Sequence, residues 1–170
     1  MTPDSSQITQ TTQSFTNEWL NHRRLTRQVI EAFPEDQLFT FTAAAPMRPF
    51  GDMVWEIHGV TAYTLNGLVT DTWGEPRWSG FLRTREALLT AWDDLSARIA
   101  SELPSVPATR YAEKKTLAWG PMTGLRAARG VLENETHHRG QGYVYLRAQG
   151  ITPPDFWGVE LPYRPQRIHV

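Results

Sequence analysis

Four stretches of this 170-residue sequence repeat apolar residues at helical spacing, and proline cuts off or follows each of them. In the first, from about Ser5 to Phe33, the residues Phe15, Trp19, His22, Thr26, Val29 and Phe33 step by 4, 3, 4, 3 and 4, which puts them on one helix face. Pro34 ends this pattern. The second opens at Pro49, a favourable first helical residue, and carries Phe50, Val54, Ile57, His58, Thr61, Leu65 and Leu68 to an end near Trp73 and Gly74. Thr84 suits the N-cap of the third, with Glu86 in its first turn and a stripe of Leu88, Trp92, Leu95, Ile99 and Leu103 before Pro104. The fourth spans about Met122 to Gln149, with Ala128, Val131, Asn134, His138, Gln141, Tyr145 and Ala148 on one face. Gly150 fits the position after its end, and Pro153 and Pro154 forbid continuation.

Four long amphipathic patterns and no convincing strand predict an all-α fold, a four-helix bundle with residues 1–170 as a single domain. Residues 35–47 read as a connector with a short extended piece. Residues 105–120 read as a long connector anchored by Tyr111, Leu117 and Trp119, which allows a crossover before the fourth helix. The tail from Asp155 to Val170, bearing Phe156, Trp157 and Tyr163, is expected to lie across the outside. Seven tryptophans demand a core or an interface to cover them.

The 17 Lys and Arg nearly balance the 18 Asp and Glu, leaving no basic surplus to grip a phosphate backbone, so no nucleic-acid partner is expected. The absence of cysteine excludes disulfides, cysteine zinc sites and thiol nucleophiles within the chain, and it fits the cytoplasm. Met1 to Thr12 is polar, without a signal-peptide core, and no apolar run approaches the roughly 18 residues a membrane span needs.

The informative residues are those that interrupt the stripes. Asn134, His138 and Gln141 stand where a core wants leucine, and His58 and His22 do the same in the second and first helices. Residues 134 and 138 lie about 40° apart around a helix and share a direction. Burying such groups costs roughly 1–3 kcal/mol each unless they are partnered. The partner is each other, buried water or a metal, since imidazole is a natural ligand for zinc, nickel, copper or iron and bundle cores build such sites. His137, about 100° from His138, belongs beside the site or on the surface. Arg139 reads as exterior or as an i,i+4 partner of Glu135. Gly140, costing about 1 kcal/mol in mid-helix, points with Gly142 to a close helix approach.

The run Asn134-Glu135-Thr136-His137-His138-Arg139-Gly140-Gln141, followed by Tyr145-Leu146-Arg147 and Gly150, resembles the DinB family of damage-inducible bacterial proteins. The Pro49–Leu68 and Trp19–Phe33 segments, with the Pro34-Glu35-Asp36 break, resemble the family's second and first helices. The resemblance implies a DinB/YfiT-type four-helix bundle, often homodimeric, with a divalent transition metal (zinc or nickel above all) on three residues. Carried over, these are His58, Asn134 and His138, with His22, Glu135, His137 and Gln141 around them. Related bundles include the mycothiol-dependent maleylpyruvate isomerase and bacillithiol transferases, in which the metal activates a low-molecular-weight thiol or a water.

Position 134 departs from the pattern: the family has histidine there, or glutamate in some branches, and an amide oxygen is a weak transition-metal ligand. Three arrangements stay open. The metal rests on His58, His138 and water; or Glu135 or His22 supplies the missing ligand; or the site is a metal-free, hydrogen-bonded core. The functional expectation is a metal-dependent, thiol-using enzyme of detoxification or stress response, set against a non-catalytic bundle with a degenerate site. The sequence names no catalytic residue beyond these ligands.

Overall fold

The computed structural model of the chain describes residues 5–77 and 80–157, with side chains from residue 12 onward. Helix α1 spans Ser5–Ala32, α2 Phe50–Thr70 and α3 Arg85–Glu102. A 3-10 turn, Leu103–Ser105, and a short α4, Ala108–Ala112, follow. Strands β1, Lys114–Leu117, and β2, Gly120–Thr123, lead into α5, Gly124–Ala148.

The caps explain these boundaries. Pro49 is the N-cap of α2 rather than its first residue, one position outside the expected start. The helix stops at Thr70, short of Trp73, because Asp71 turns left-handed (φ 61°) and returns its N–H to the Gly67 carbonyl. Trp73 instead folds back onto Gly67, where a Cβ would stand 2.3 Å from its ring. Thr84 caps α3 as expected, its hydroxyl accepting from the Ala87 N–H at 3.2 Å. Thr123 does the same for α5 through the Arg126 N–H, so that helix starts just after Met122.

The expectation of no strand is corrected at residues 114–123, where the long connector meets the start of the fourth helical pattern. Antiparallel pairing of Lys114 with Thr123 and Leu117 with Gly120 makes a tight ribbon there. Its turn needs the φ of 112° that Gly120 adopts. Four-residue strands are too short to show a period of two, which is why no alternation flagged them. The Ala118 N–H donates to the Tyr63 hydroxyl at 3.0 Å, fixing the ribbon against α2.

Helix α5 packs on α2 and α1, and α3 packs on the same pair from the other side. The apolar side chains form two main clusters. One gathers Val29, Phe33, Phe50, Ile57, Trp92 and Tyr145; the other gathers Trp19, Leu65, Leu95, Ile99, Val131 and Leu132. Along α1, α2 and α5 the residues between these clusters are polar and buried: Arg23 and Thr26 on α1, Thr61 on α2, and Glu135, His138 and Arg139 on α5. Trp19, Trp55 and Trp92 are covered, whereas Phe156 and Trp157 stay exposed, so the start of the tail does not bury its rings. Tyr163 lies outside the described residues.

The two glycines of the fourth sequence pattern separate. A Cβ on Gly142 would meet the Phe50 ring at 2.6 Å and Val29 at 3.0 Å, so this glycine admits the neighbouring helices. A Cβ on Gly140 would meet nothing within 4 Å, so no described helix of this chain makes a close approach there. Gly142→Ala is expected to destabilise by about 1–3 kcal/mol. Gly140→Ala is expected to stabilise by about 1 kcal/mol. Urea midpoints of the two variants measure both.

Candidate functional site

The buried polar layer is built from α1 and α5. Glu135 is fully buried; its Oε1 accepts a 2.6 Å bond from the Thr26 hydroxyl and lies 3.9 Å from Arg139. Arg139, only 3% exposed, donates through Nη1 to the His22 carbonyl and the Thr26 hydroxyl, and through Nη2 to His22 Nδ1 at 3.1 Å. An exterior Arg139 is thereby corrected: a guanidinium with three protein acceptors is stable inside. Arg23 donates to Ser96 and to the Trp92 carbonyl, stacks 3.8 Å from the Trp92 ring, and takes the Trp92 indole N–H on its own carbonyl. Its charge acts on both Glu135 and His58. Burial pushes the Glu135 carboxyl up, against the pull of Arg23, the Thr26 hydroxyl and Arg139. Burial likewise brings the Arg23 guanidinium down to about 10.

His138 belongs to a different face. Its Nδ1 lies 2.7 Å from Gln141 Oε1, one turn along α5, which fixes the ring. Its Nε2 then faces Glu56 Oε1 of α2 at 3.3 Å. Glu56 also takes a bond from Arg48, whose carbonyl is tied down by the Tyr145 hydroxyl at 2.8 Å. The His138 contact first, and Arg48 after it, overcome the cost of burial and hold the Glu56 carboxyl down at about 2. Glu56 is ionised at neutral pH.

Glu56 and Asn134 line one groove of about 270 Å³, walled by Val60 of α2, Ala127, Gly130 and Val131 of α5, and Trp119 and Met122 of the ribbon. The structure therefore brings His138, Gln141 and Asn134 to the same side of α5. Among the described residues no hydrogen bond or ring contact joins His58 to His138. Residues 56 and 58 leave a helix about 200° apart, and the His58 ring sits edge-on to Trp55 and Phe81 at 5.4 and 5.9 Å. Its buried Nδ1 has no hydrogen-bond partner among the described residues. His22 and Glu135 are committed to Arg139 and Thr26, away from His138. His137 is exposed, its ring 5.1 Å from that of His138.

Sequence reasoning missed Glu56. Its signal was available: α2 carries only two charged side chains, Asp52 and Glu56, and a carboxylate in so apolar a helix needs a reason. It missed Arg23 for the opposite cause, since the run Arg23-Arg24-Leu25-Thr26-Arg27 reads as a solvated face.

Two ligands at 2.0–2.1 Å on a tetrahedral zinc stand about 3.3 Å apart. That is the separation of His138 Nε2 and Glu56 Oε1, and it is long for a charge-assisted hydrogen bond, about 2.7–2.9 Å. The fit is good for two donors; among the described residues no group of three or more His, Asp or Glu is placed to hold a metal. Asn134, which the family resemblance offers as a third ligand, lines the same groove as Glu56.

Burial first, and the charge of Arg23 second, lower the His58 pKa to about 4; burial and then Arg139 lower that of His22. The folded chain thus binds fewer protons than the unfolded chain below the ordinary imidazole value of about 6.5. The stability from keeping these rings neutral is complete above that pH and is lost as the pH falls towards 4. Urea midpoints at pH 7.5 and pH 5 should fall with acidification, and His58→Leu should flatten the slope.

A family model of the DinB family matches residues 8–166. A search of curated proteins finds no match. Among solved structures, a DinB-like protein from Bacillus subtilis aligns with a TM-score of 0.67 at 18% identity, covering 85% of this chain and 97% of its own. A DinB-like protein from Bacillus cereus gives 0.67 at 19% identity, with 84% and 95% covered. These likenesses carry the fold. With the family model matching nearly the whole length, the chain belongs to the DinB family.

Proposed function

We propose that the four long helices form a DinB-type bundle whose groove between α2 and α5 holds a divalent transition metal, zinc or nickel, and serves a thiol-using or hydrolytic enzyme of detoxification or stress response. The 3.3 Å convergence of Glu56 and His138 carries this reading. Glu56 and His138 are the principal donors, Asn134 is a weak third, and Glu56 takes the place that the family resemblance gave to His58. Such an ion, when bound, lowers the pKa of a coordinated thiol or water.

The chain's own residues supply the rest. Gln141 holds the His138 ring so that Nε2 faces Glu56 across the gap. Arg48 holds the Glu56 carboxylate ionised and in place. Trp119 and Met122, held by an indole-to-sulfur contact of 3.2 Å and by Tyr63 beneath the ribbon, wall the groove on one side. Arg126 lines the same groove and, although paired with Glu133, offers a positive edge to an anionic thiol. No described helix is long and apolar enough to cross a membrane, and the near-zero charge balance gives no grip on nucleic acid. The exposed Leu125 and Val144 of α5 support a homodimer, and the lack of cysteine supports a cytoplasmic setting.

One observation favours a second reading, a non-catalytic bundle with a degenerate site. Arg48 and His138 already satisfy Glu56, and the third corner is an amide.

Elemental analysis of untagged protein grown in metal-replete medium decides between them. About one zinc or nickel per chain is expected, lost in His138→Ala and Glu56→Gln, retained in His58→Leu and tightened in Asn134→His. Gln141→Ala should weaken binding roughly 10–100-fold. Metal-free protein at every step would favour the second reading, and loss of metal in His58→Leu alone would restore the His58-centred site.

A further inference from the structure

Helix α5 lines a second cavity on the face away from His138. Gly140 sits in mid-helix, where glycine costs about 1 kcal/mol relative to alanine, yet no neighbour needs the space. It is about 200° around the axis from His138. With Thr136, Tyr143 and Arg147, spaced 4, 3 and 4, it forms one stripe along α5. That stripe is the floor of a cavity of about 540 Å³, within the size range of small-molecule sites. The opposite wall is the segment after α5, with Asp155 and Phe156, latched by the Tyr143 hydroxyl to the Asp155 carbonyl at 3.5 Å.

Two arginines and one aspartate line this cavity. Arg139 is held rigidly by His22 and Thr26, so its charge is preorganised at the wall. Glu135 offsets Arg139 from behind but is shared with the second buried cation, Arg23. Arg147 lies 5.9 Å from the Tyr143 ring. Tyr143 and Phe156 add two aromatic walls. We propose that this cavity, on the face of α5 opposite His138, binds a small organic anion, its flat apolar body between Tyr143 and Phe156 and its carboxylate or phosphate towards Arg139 and Arg147. This site does not depend on the metal reading.

The test is calorimetric titration of the full chain with benzoate, phenyl phosphate, inorganic phosphate and benzyltrimethylammonium. An aromatic anion is expected to bind at about 1 mM or tighter, and inorganic phosphate and the ammonium at least tenfold more weakly. Benzoate against phenyl phosphate tells which head group is preferred. A Cβ at Gly140 meets nothing within 4 Å and opens onto the cavity floor, so Gly140→Leu should fold and lose affinity tenfold or more. Arg147→Gln should lose a similar factor. Silence of both aromatic anions, equal binding of the ammonium, or wild-type affinity in a folded Gly140→Leu variant each overturns the proposal.

Discussion

A carboxylate buried between two arginines organises this molecule. Glu135 has no water-exposed surface, and it shares its charge with Arg139 on its own helix and Arg23 on α1. Each cation is in turn held by acceptors on other elements: Arg139 by His22 and Thr26, and Arg23 by Ser96 and the Trp92 carbonyl. Such a layer tolerates one register of α1, α3 and α5, because a slip of one turn would strand a buried charge at a cost of about 3–5 kcal/mol. The two apolar clusters on either side carry the burial energy and are compatible with several packings. The polar layer selects among them.

That selection explains how α5 serves several neighbours at once. Successive residues project at about 100° steps. Glu135 and Arg139 turn to α1, Asn134 to the α2 groove, His138, held by Gln141, to Glu56 of α2, and Thr136, Gly140 and Arg147 to the far side. The α2 groove inherits its precision from this arrangement. Tyr145, one helical repeat beyond His138, fixes the backbone of Arg48, and Arg48 fixes Glu56. A change in the register of α5 would therefore move both donors of the groove together.

The long helices were legible because each buries a stripe at helical period and ends on a residue with a physical veto or cap: Pro34, Thr84 and Gly150 among them. The ribbon of Lys114–Thr123 was not, since two four-residue strands carry no periodic signal and depend on Gly120 and on the Tyr63 anchor far away in sequence. At the site, His138, Gln141 and Asn134 were legible as polar residues in an apolar stripe. Their partner across the gap was not. His58 and Glu56 differ by two positions on α2, and which of them meets α5 depends on the rotation of that helix, set by the packing of Phe50 against Gly142 and Phe33. A stripe drawn from the sequence does not carry that angle. Arg23 and Arg139 escaped for a related reason: arginine normally signals solvent, and only the assembled acceptors make its burial affordable.

The central claim is that Glu56, rather than His58, faces His138 across the groove and completes a metal pair with it. X-ray absorption at the metal edge of the zinc-loaded protein tests this most directly, because imidazole has a distinctive scattering pattern. The expected spectrum has one imidazole with the remaining donors oxygen, and it loses that imidazole in His138→Ala. Two imidazoles at zinc, one of them removed by His58→Leu, would contradict the account.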